Sequence, residues 1–131
     1  MIRIDNTTRD LRLSALKALL ETGSGTAALK VYGTPMPASL ATAAPTTALV
    51  VFNLPDPLPA ISAYELVIPT SGGEVVLNSG TALWGRFFDG NGATVLDVDC
   101  GDVSSNAFIK LSVTTLYAGQ LITAPTITFS D

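Results

Sequence analysis

The polar and apolar residues near the start of the chain follow the period of an α-helix. Apolar side chains recur three and four positions apart and form a stripe, which Ala15, Ala18 and Leu19 widen. Residues that favour helix N-termini stand at 6–8, and glycines at 23 and 25 favour an end. The pattern therefore predicts one helix over about 7–22. The stripe consists of Leu13, Leu16 and Leu20.

After the helix the pattern changes to short apolar runs separated by turn residues. The runs are rich in Val, Ile, Leu, Thr and aromatic residues, which is typical of strands. They occupy 27–33, 47–54, 63–69, 73–78, 82–88, 94–100, 107–116 and 124–130. About eight strands with no second helix predict a mainly β fold, namely an antiparallel β-sandwich, jelly roll or small barrel. We expect a single domain over 1–131, with its β body at about 27–131.

Two proline-rich segments interrupt the strand pattern. Residues 33–47 and residues 53–62 contain three prolines each. Proline cannot donate a hydrogen bond to a β-ladder, so neither segment can be a central strand. Both are predicted to be connections, and 33–47 has the composition of an extended arm that reaches over a neighbouring subunit or lies as a stiff surface loop.

The stretch LWGRFFDGNGATVLDVDCGD (83–102) has the pattern of a β-hairpin. Gly90, Asn91 and Gly92 suit the turn, because they tolerate positive φ. Leu96, Val98 and Cys100 alternate with polar positions and are expected to face the core. Arg86 could pair across the strands with Asp97 or Asp99, which point to the opposite face.

The aspartates of this hairpin raise the question of a metal or catalytic site. The spacing does not fit an EF-hand loop counted from either Asp89 or Asp97. Asp97, Asp99 and Asp102 remain weak candidates for an irregular calcium site. Asp97 and Asp99 also share a face, as a glycosidase pair would, although nothing else in the chain favours that chemistry.

Composition removes most other catalytic classes. The chain has no histidine and a single cysteine, Cys100, so histidine-based triads, zinc sites and an internal disulfide are excluded. Cys100 is expected to be a small buried strand residue. No phosphate-binding glycine motif is present. We expect no enzymatic activity and no cofactor.

Aromatic residues leave a carbohydrate site open. Trp84, Phe88 and Tyr64 could stack on a sugar ring, although a strand pair that contains a tryptophan is more often part of a core. The sequence therefore keeps a lectin-like carbohydrate-binding module as an alternative function.

Charge is sparse and uneven. The net charge is −4 and 14% of residues are charged, which is low for a soluble domain. The first seventeen residues are basic, because Arg3, Arg9, Arg12 and Lys17 outnumber two aspartates, whereas the rest of the chain is acidic. This polarity suits docking to a protein partner but is a poor nucleic-acid patch. No apolar run is long enough for a membrane span, and the start lacks the apolar core of a signal peptide.

Three segments, taken in order, resemble a family of small virion proteins of tailed bacteriophages. They are TRDLRLSALKALLETGSGTAALKVYGTPMP, GTALWGRFFDGNGATVLDVDCG and LYAGQLITAPTITFS. Residues 53–80 depart from the family pattern. The resemblance implies a β-sandwich that coats or cements a capsid shell, and it implies no catalytic residues.

From this resemblance we expect a protein made in the cytoplasm of a host bacterium and located on the capsid surface. Its expected partners are the major capsid protein and itself, as a dimer or trimer. The alternatives are a tail or neck structural subunit, or the lectin-like module as part of a tail or fibre. The candidate contact residues are Arg3, Arg9, Arg12, Pro35, Pro37, Pro45, Asp97 and Asp99.

Overall fold

The computed structural model describes residues 6–69 and 73–130 and has a mainly β fold with one helix in these ranges. Helix α1 spans Asn6–Leu20, so it begins one residue before the predicted start and ends two residues early. Leu13 and Leu20 are buried, which confirms that the leucine stripe faces the body. Gly23 has a φ of +99°, the left-handed conformation that commonly follows a helix C-terminus.

Eleven strands follow the helix within the described ranges, three more than the sequence predicts. They are β1 Ala28–Tyr32, β2 Val50–Asn53, β3 Glu65–Ile68, β4 Gly73–Val75, β5 Gly80–Thr81, β6 Trp84–Phe88, β7 Thr94–Asp102, β8 Ile109–Leu111, β9 Thr115–Leu116, β10 Leu121–Thr123 and β11 Ile127–Ser130. The run at 107–116 divides into β8 and β9. The short strands β5 and β10 have no run of their own in the prediction, because turn residues surround them.

Five strands form the main sheet, in the order β2-β1-β6-β7-β8. The central strand β6 pairs with β1 on one side and with β7 on the other. Its inward side chains lie among buried apolar residues of the neighbouring strands, which include Leu29, Val31, Phe52 and Val98. The predicted orientation of the hairpin is confirmed, since Val98 is buried and Leu96 and Cys100 pack against the same core.

The pairing of β7 with β8 corrects the prediction of an all-antiparallel fold, because these two strands are parallel. The connection between them is too short for a helix, and hydrogen bonds inside the loop fold the chain back. The Asp99 carboxylate accepts the Phe108 amide at 2.8 Å, and the Asp102 carboxylate accepts the Ser104 amide at 3.0 Å. These side-chain contacts replace the crossover helix that parallel strands usually need.

The remaining strands form three separate two-stranded sheets, β10–β4, β11–β3 and β5–β9. Leu66, Ile68, Ile127 and Phe129 of the β11–β3 pair join the same core as the inner face of the main sheet. The rings of Phe87 and Phe129 are 5.5 Å apart between centroids, which connects the two sheets directly.

Both proline-rich segments are connections. Residues 33–47, which we call the strap, contain no strand and lie over the outer face of the main sheet. Residues 53–62 lead from the end of β2 towards β3, and the Leu58 amide donates to the Glu21 carboxylate at 3.1 Å. A Lys17–Glu21 ion pair at 2.9 Å and the Leu58 amide lower the pKa of Glu21.

The turn of the β6–β7 hairpin holds the C-terminal end of the helix. Gly90 donates its amide to the carbonyl of Thr22 at 2.8 Å, and Gly25 donates to the carbonyl of Gly90 at 3.2 Å. The two backbones approach so closely that a β-carbon on Gly25 would lie 2.7 Å from the Gly90 oxygen. The glycines at 25 and 90 are therefore required by contact, not only by turn conformation.

We predict that Gly90→Ala destabilises the protein by about 1–3 kcal/mol, because its new methyl group would overlap the carbonyl oxygens of Gly25 and Thr22. The matched control is Gly92→Asn in the same turn. Gly92 has a φ of +81° and no atom near its β-carbon position, and asparagine tolerates that conformation. Urea unfolding monitored by far-UV circular dichroism measures both. Equal stability of the two variants would contradict the close contact.

Candidate functional site

The outer face of the main sheet carries a group of polar and aromatic side chains that contact one another. The register places Tyr32 beside Trp84 and Arg86 beside Asp97. The Tyr32 and Trp84 rings are 4.7 Å apart between centroids, and the Arg86 guanidinium lies 5.3 Å from the centroid of Trp84. The alternation of strands β1, β6 and β7 therefore aligns aromatic rings, a cation and an anion on one surface.

Arg86 and Asp97 form a two-point ion pair at the centre of this face. Arg86 Nε donates to Asp97 Oδ1 at 2.6 Å, and a terminal nitrogen donates to Oδ2 at 3.0 Å. The Arg86 side chain is 2% exposed and that of Asp97 is 11% exposed. The hydrogen bonds to Asp97 raise the pKa of Arg86, although burial opposes them. Of the two partners that the sequence left open for Arg86, the structure selects Asp97.

The strap covers this pair and the neighbouring aromatic rings. A terminal nitrogen of Arg86 donates to the Thr42 carbonyl at 2.8 Å, and the Trp84 indole donates to the Thr34 hydroxyl at 3.3 Å. As a result β6 is buried on both faces, although its outer side chains are polar or amphipathic. Arg86 thus links two strands and the strap through one guanidinium.

Burial under the strap changes the interpretation of the aromatic residues. Trp84 is completely buried, so its ring offers no free face to a sugar in this conformation. Phe88 lies beneath the Lys30 ammonium, 4.9 Å from the ring centroid, and Tyr64 lies beneath Arg9 at 5.5 Å. Each of the three aromatic residues that the sequence grouped as a sugar platform has a separate neighbour inside the protein.

The three aspartates considered as weak calcium ligands form three separate sets of hydrogen bonds. Asp97 binds Arg86, Asp99 accepts the Phe108 amide, and Asp102 accepts both the amide and the hydroxyl of Ser104. The bonds from Ser104 lower the pKa of Asp102. Within residues 6–69 and 73–130 no group of three or more acidic, histidine or cysteine side chains is arranged to hold a metal ion. The structure does not bring these carboxylates together as one site.

Cys100 lies on β7, the strand that also carries Asp97, and packs against the core. Burial, and then the charge of Asp99, raises the pKa of the Cys100 thiol to about 12. The thiol is therefore protonated at neutral pH, which fits the structural role expected from the sequence.

Two of the three basic candidate residues, Arg9 and Arg12, belong to the described part of the chain. Arg3 lies outside the described residues. Arg9 is half-buried above Tyr64, and Arg12 is exposed on the helix and takes part in a further interaction of its own. In the described residues, Arg9 therefore contacts a ring of the same protein, and Arg12 presents its guanidinium at the surface.

The three candidate prolines all belong to the strap. Pro35, Pro37 and Pro45 line a cavity of about 260 Å³ together with Trp84. A second cavity of about 290 Å³ is bordered by residues 36–40 of the strap and by Leu96 and Asp97 of β7. Both cavities are open to the surface, so they lie along the border between the strap and the sheet.

Sequence reasoning missed an exposed apolar surface on the β4–β10 ribbon. Val75 and Leu121 are cross-strand partners and are 51% and 69% exposed. Leu77 and Tyr117, which flank these strands, are 57% and 63% exposed. We call these four residues the ribbon patch. The short apolar run at Leu121 and Ile122 carried a signal, but it belongs to no strand predicted from the sequence.

Comparison with protein-family models, with curated proteins and with solved structures finds no match to this chain. In the described ranges, the helix lacks the length and apolar character to cross a bilayer. The candidate site is accordingly defined by its geometry alone: a sealed ion pair with aromatic neighbours, a proline strap above it, and an exposed apolar ribbon elsewhere.

We predict that Arg86→Met destabilises the protein by about 3–5 kcal/mol, because Asp97 would remain largely buried without its partner. The double variant Arg86→Met with Asp97→Leu should recover much of this loss, since no uncompensated charge remains. Urea unfolding at neutral pH measures the coupling.

The matched control is Lys17→Met, which breaks the more exposed helix pair and should cost at most about 0.5 kcal/mol. The account of a sealed pair is wrong if Arg86→Met costs no more than this control, or if the double variant is as unstable as the sum of its single variants.

Proposed function

We propose that this protein is a non-enzymatic structural protein of a tailed-bacteriophage virion, which binds the outside of the capsid shell as a decoration or cement subunit. The proposed partners are the major capsid protein and further copies of the chain, as a dimer or trimer. Binding at many symmetry-related joints would stabilise the assembled shell over free subunits, because the added interface exists only in the assembly.

The observation that carries this proposal is that prominent polar side chains are bonded within the protein, whereas large apolar side chains are exposed. The conspicuous polar residues Arg86, Asp97 and Asp102 are engaged within the protein. The surface instead offers large apolar side chains, among them the four residues of the ribbon patch. Exposed apolar surface of this kind is typical of protein–protein contact.

Two further features support the proposal. The resemblance of three segments to small tailed-phage virion proteins covers the helix, the β6–β7 hairpin and the last strands. The inner face of the main sheet and the β11–β3 pair share one core, which supports a β-sandwich or jelly-roll arrangement. A structural subunit needs this kind of rigid body with an apolar contact surface.

The test of location is the copy number and position of the protein in phage particles that encode it. We expect on the order of hundreds of copies over the head surface, as repeated binding to an icosahedral lattice requires. About a dozen copies or fewer at one vertex would indicate a neck subunit, and stacking along the tail would indicate a tail subunit; either result overturns the proposal.

The test of the contact surface uses purified shells that lack the protein. We predict that Val75→Asp with Leu121→Asp weakens shell binding at least about tenfold, because charge replaces apolar contact area. Val67→Asp on the β11–β3 sheet, where Val67 is 40% exposed, is the matched control and should bind normally. Co-sedimentation measures binding. Equal binding by both variants would exclude the ribbon patch as the contact.

A further inference from the structure

The outer face of the main sheet has the chemistry of a groove that recognises a proline-rich segment. Trp84 and Tyr32 supply adjacent aromatic rings, and prolines 35, 37 and 45 line the same cavity as Trp84. The Trp84 indole also donates a hydrogen bond to the segment that covers it. Aromatic grooves with this combination bind extended proline-rich chains, because such chains are already stiff and lose little entropy on binding.

The strap is the ligand of this groove within the same chain, and it is held by few polar contacts. In the described structure two hydrogen bonds join residues 33–47 to the rest of the protein, at Thr34 and Thr42. The strap's remaining hydrogen bonds are internal and centre on Ser39. None of residues 33–47 is itself buried, so this segment has little packing to resist local opening.

Both ends of the strap are fixed at one place, so it can move as a unit. Val31 pairs with Val50, and the Leu49 amide donates to the Val31 carbonyl at 2.8 Å. The strap therefore leaves and re-enters the sheet between neighbouring strands. Doubled back on itself, an open strap could extend about 20 Å from that point, which is enough to reach a facing sheet.

We propose that the strap is exchanged between two copies of the protein, each strap lying in the aromatic groove of the other copy. The second copy supplies an occupant whose chemistry the groove already fits, since the intramolecular complex shows the same segment in place. Exchange re-forms the same contacts between strap and groove. Its free-energy cost is therefore that of bringing two copies together and of changing the backbone conformation at the two ends of the strap.

The exchanged pair becomes more populated as the protein concentration rises. This inference goes beyond shell binding and is tested without shells. A dense array of subunits on a capsid would favour exchange, and that extension alone rests on the proposed function.

Disulfide trapping tests the exchange directly. Leu40 in the strap and Leu96 on the sheet line the same cavity. One preparation carries Leu40→Cys and the other carries Leu96→Cys with a different tag, and both carry Cys100→Ser. We expect the mixed preparations to form a disulfide-linked heterodimer whose yield rises roughly in proportion to concentration. Ser39→Cys, which lines the same cavity, replaces Leu40→Cys if that variant folds poorly by circular dichroism.

The matched control pairs Leu96→Cys with Val113→Cys, a 43% exposed residue outside the strap, and should give only background linkage. A single chain that carries both Leu40→Cys and Leu96→Cys, oxidised when dilute, locks its own strap and should remain monomeric at concentrations where the reduced protein dimerises.

Three outcomes would overturn the exchange. The first is linkage no greater than that of the Val113 control, and the second is equal dimerisation of the locked and reduced proteins. The third is a free peptide with the strap sequence GTPMPASLATAAPTT that binds the groove, detected through the emission of Trp84, while mixed copies never link. The groove would then accept a separate proline-rich chain instead of a second copy.

Discussion

The ion pair between Arg86 and Asp97 is the interaction on which the outer half of the structure depends. A buried guanidinium is costly unless its donors are satisfied, and here they bind one carboxylate at two points and one carbonyl of the strap. Because the same side chain contacts both β7 and the strap, the central strand can be covered on both faces. Trp84 and Tyr32 then become interior residues instead of an exposed aromatic surface.

This arrangement changes the meaning of the hairpin at 83–102, which contains most of the chain's reactive-looking residues. Its glycine turn holds the end of the helix, Asp97 neutralises Arg86, and Asp99 and Asp102 fold the loop that starts β8. The polar residues of this stretch that were candidates for a metal or catalytic site therefore make contacts that hold the fold. The proposed role in an assembly would instead use apolar contact on the ribbon patch and proline contact through the strap.

The sequence predicted the local elements better than their connections. Leucine spacing located the helix within two residues of each end, and alternation oriented Val98 towards the core, because both depend on neighbours in the chain. The parallel β7–β8 pair, the docking of Gly90 on Gly25 and the ribbon patch depend on contacts between distant segments, which periodicity does not encode. Arg86 was correctly expected to pair across the strands, but the strap that buries it left only its prolines as a signal.

The most direct test of this account is the solvent exposure of Trp84, which is the only tryptophan in the chain. Acrylamide quenching of its fluorescence should be weak in the native protein, with emission at the short wavelengths typical of an apolar environment. Asp97→Asn should increase the quenching while the far-UV circular dichroism stays native, because the strap loses the anchored guanidinium. Strong quenching of the unaltered native protein, close to that of the unfolded chain, would contradict the sealed outer face.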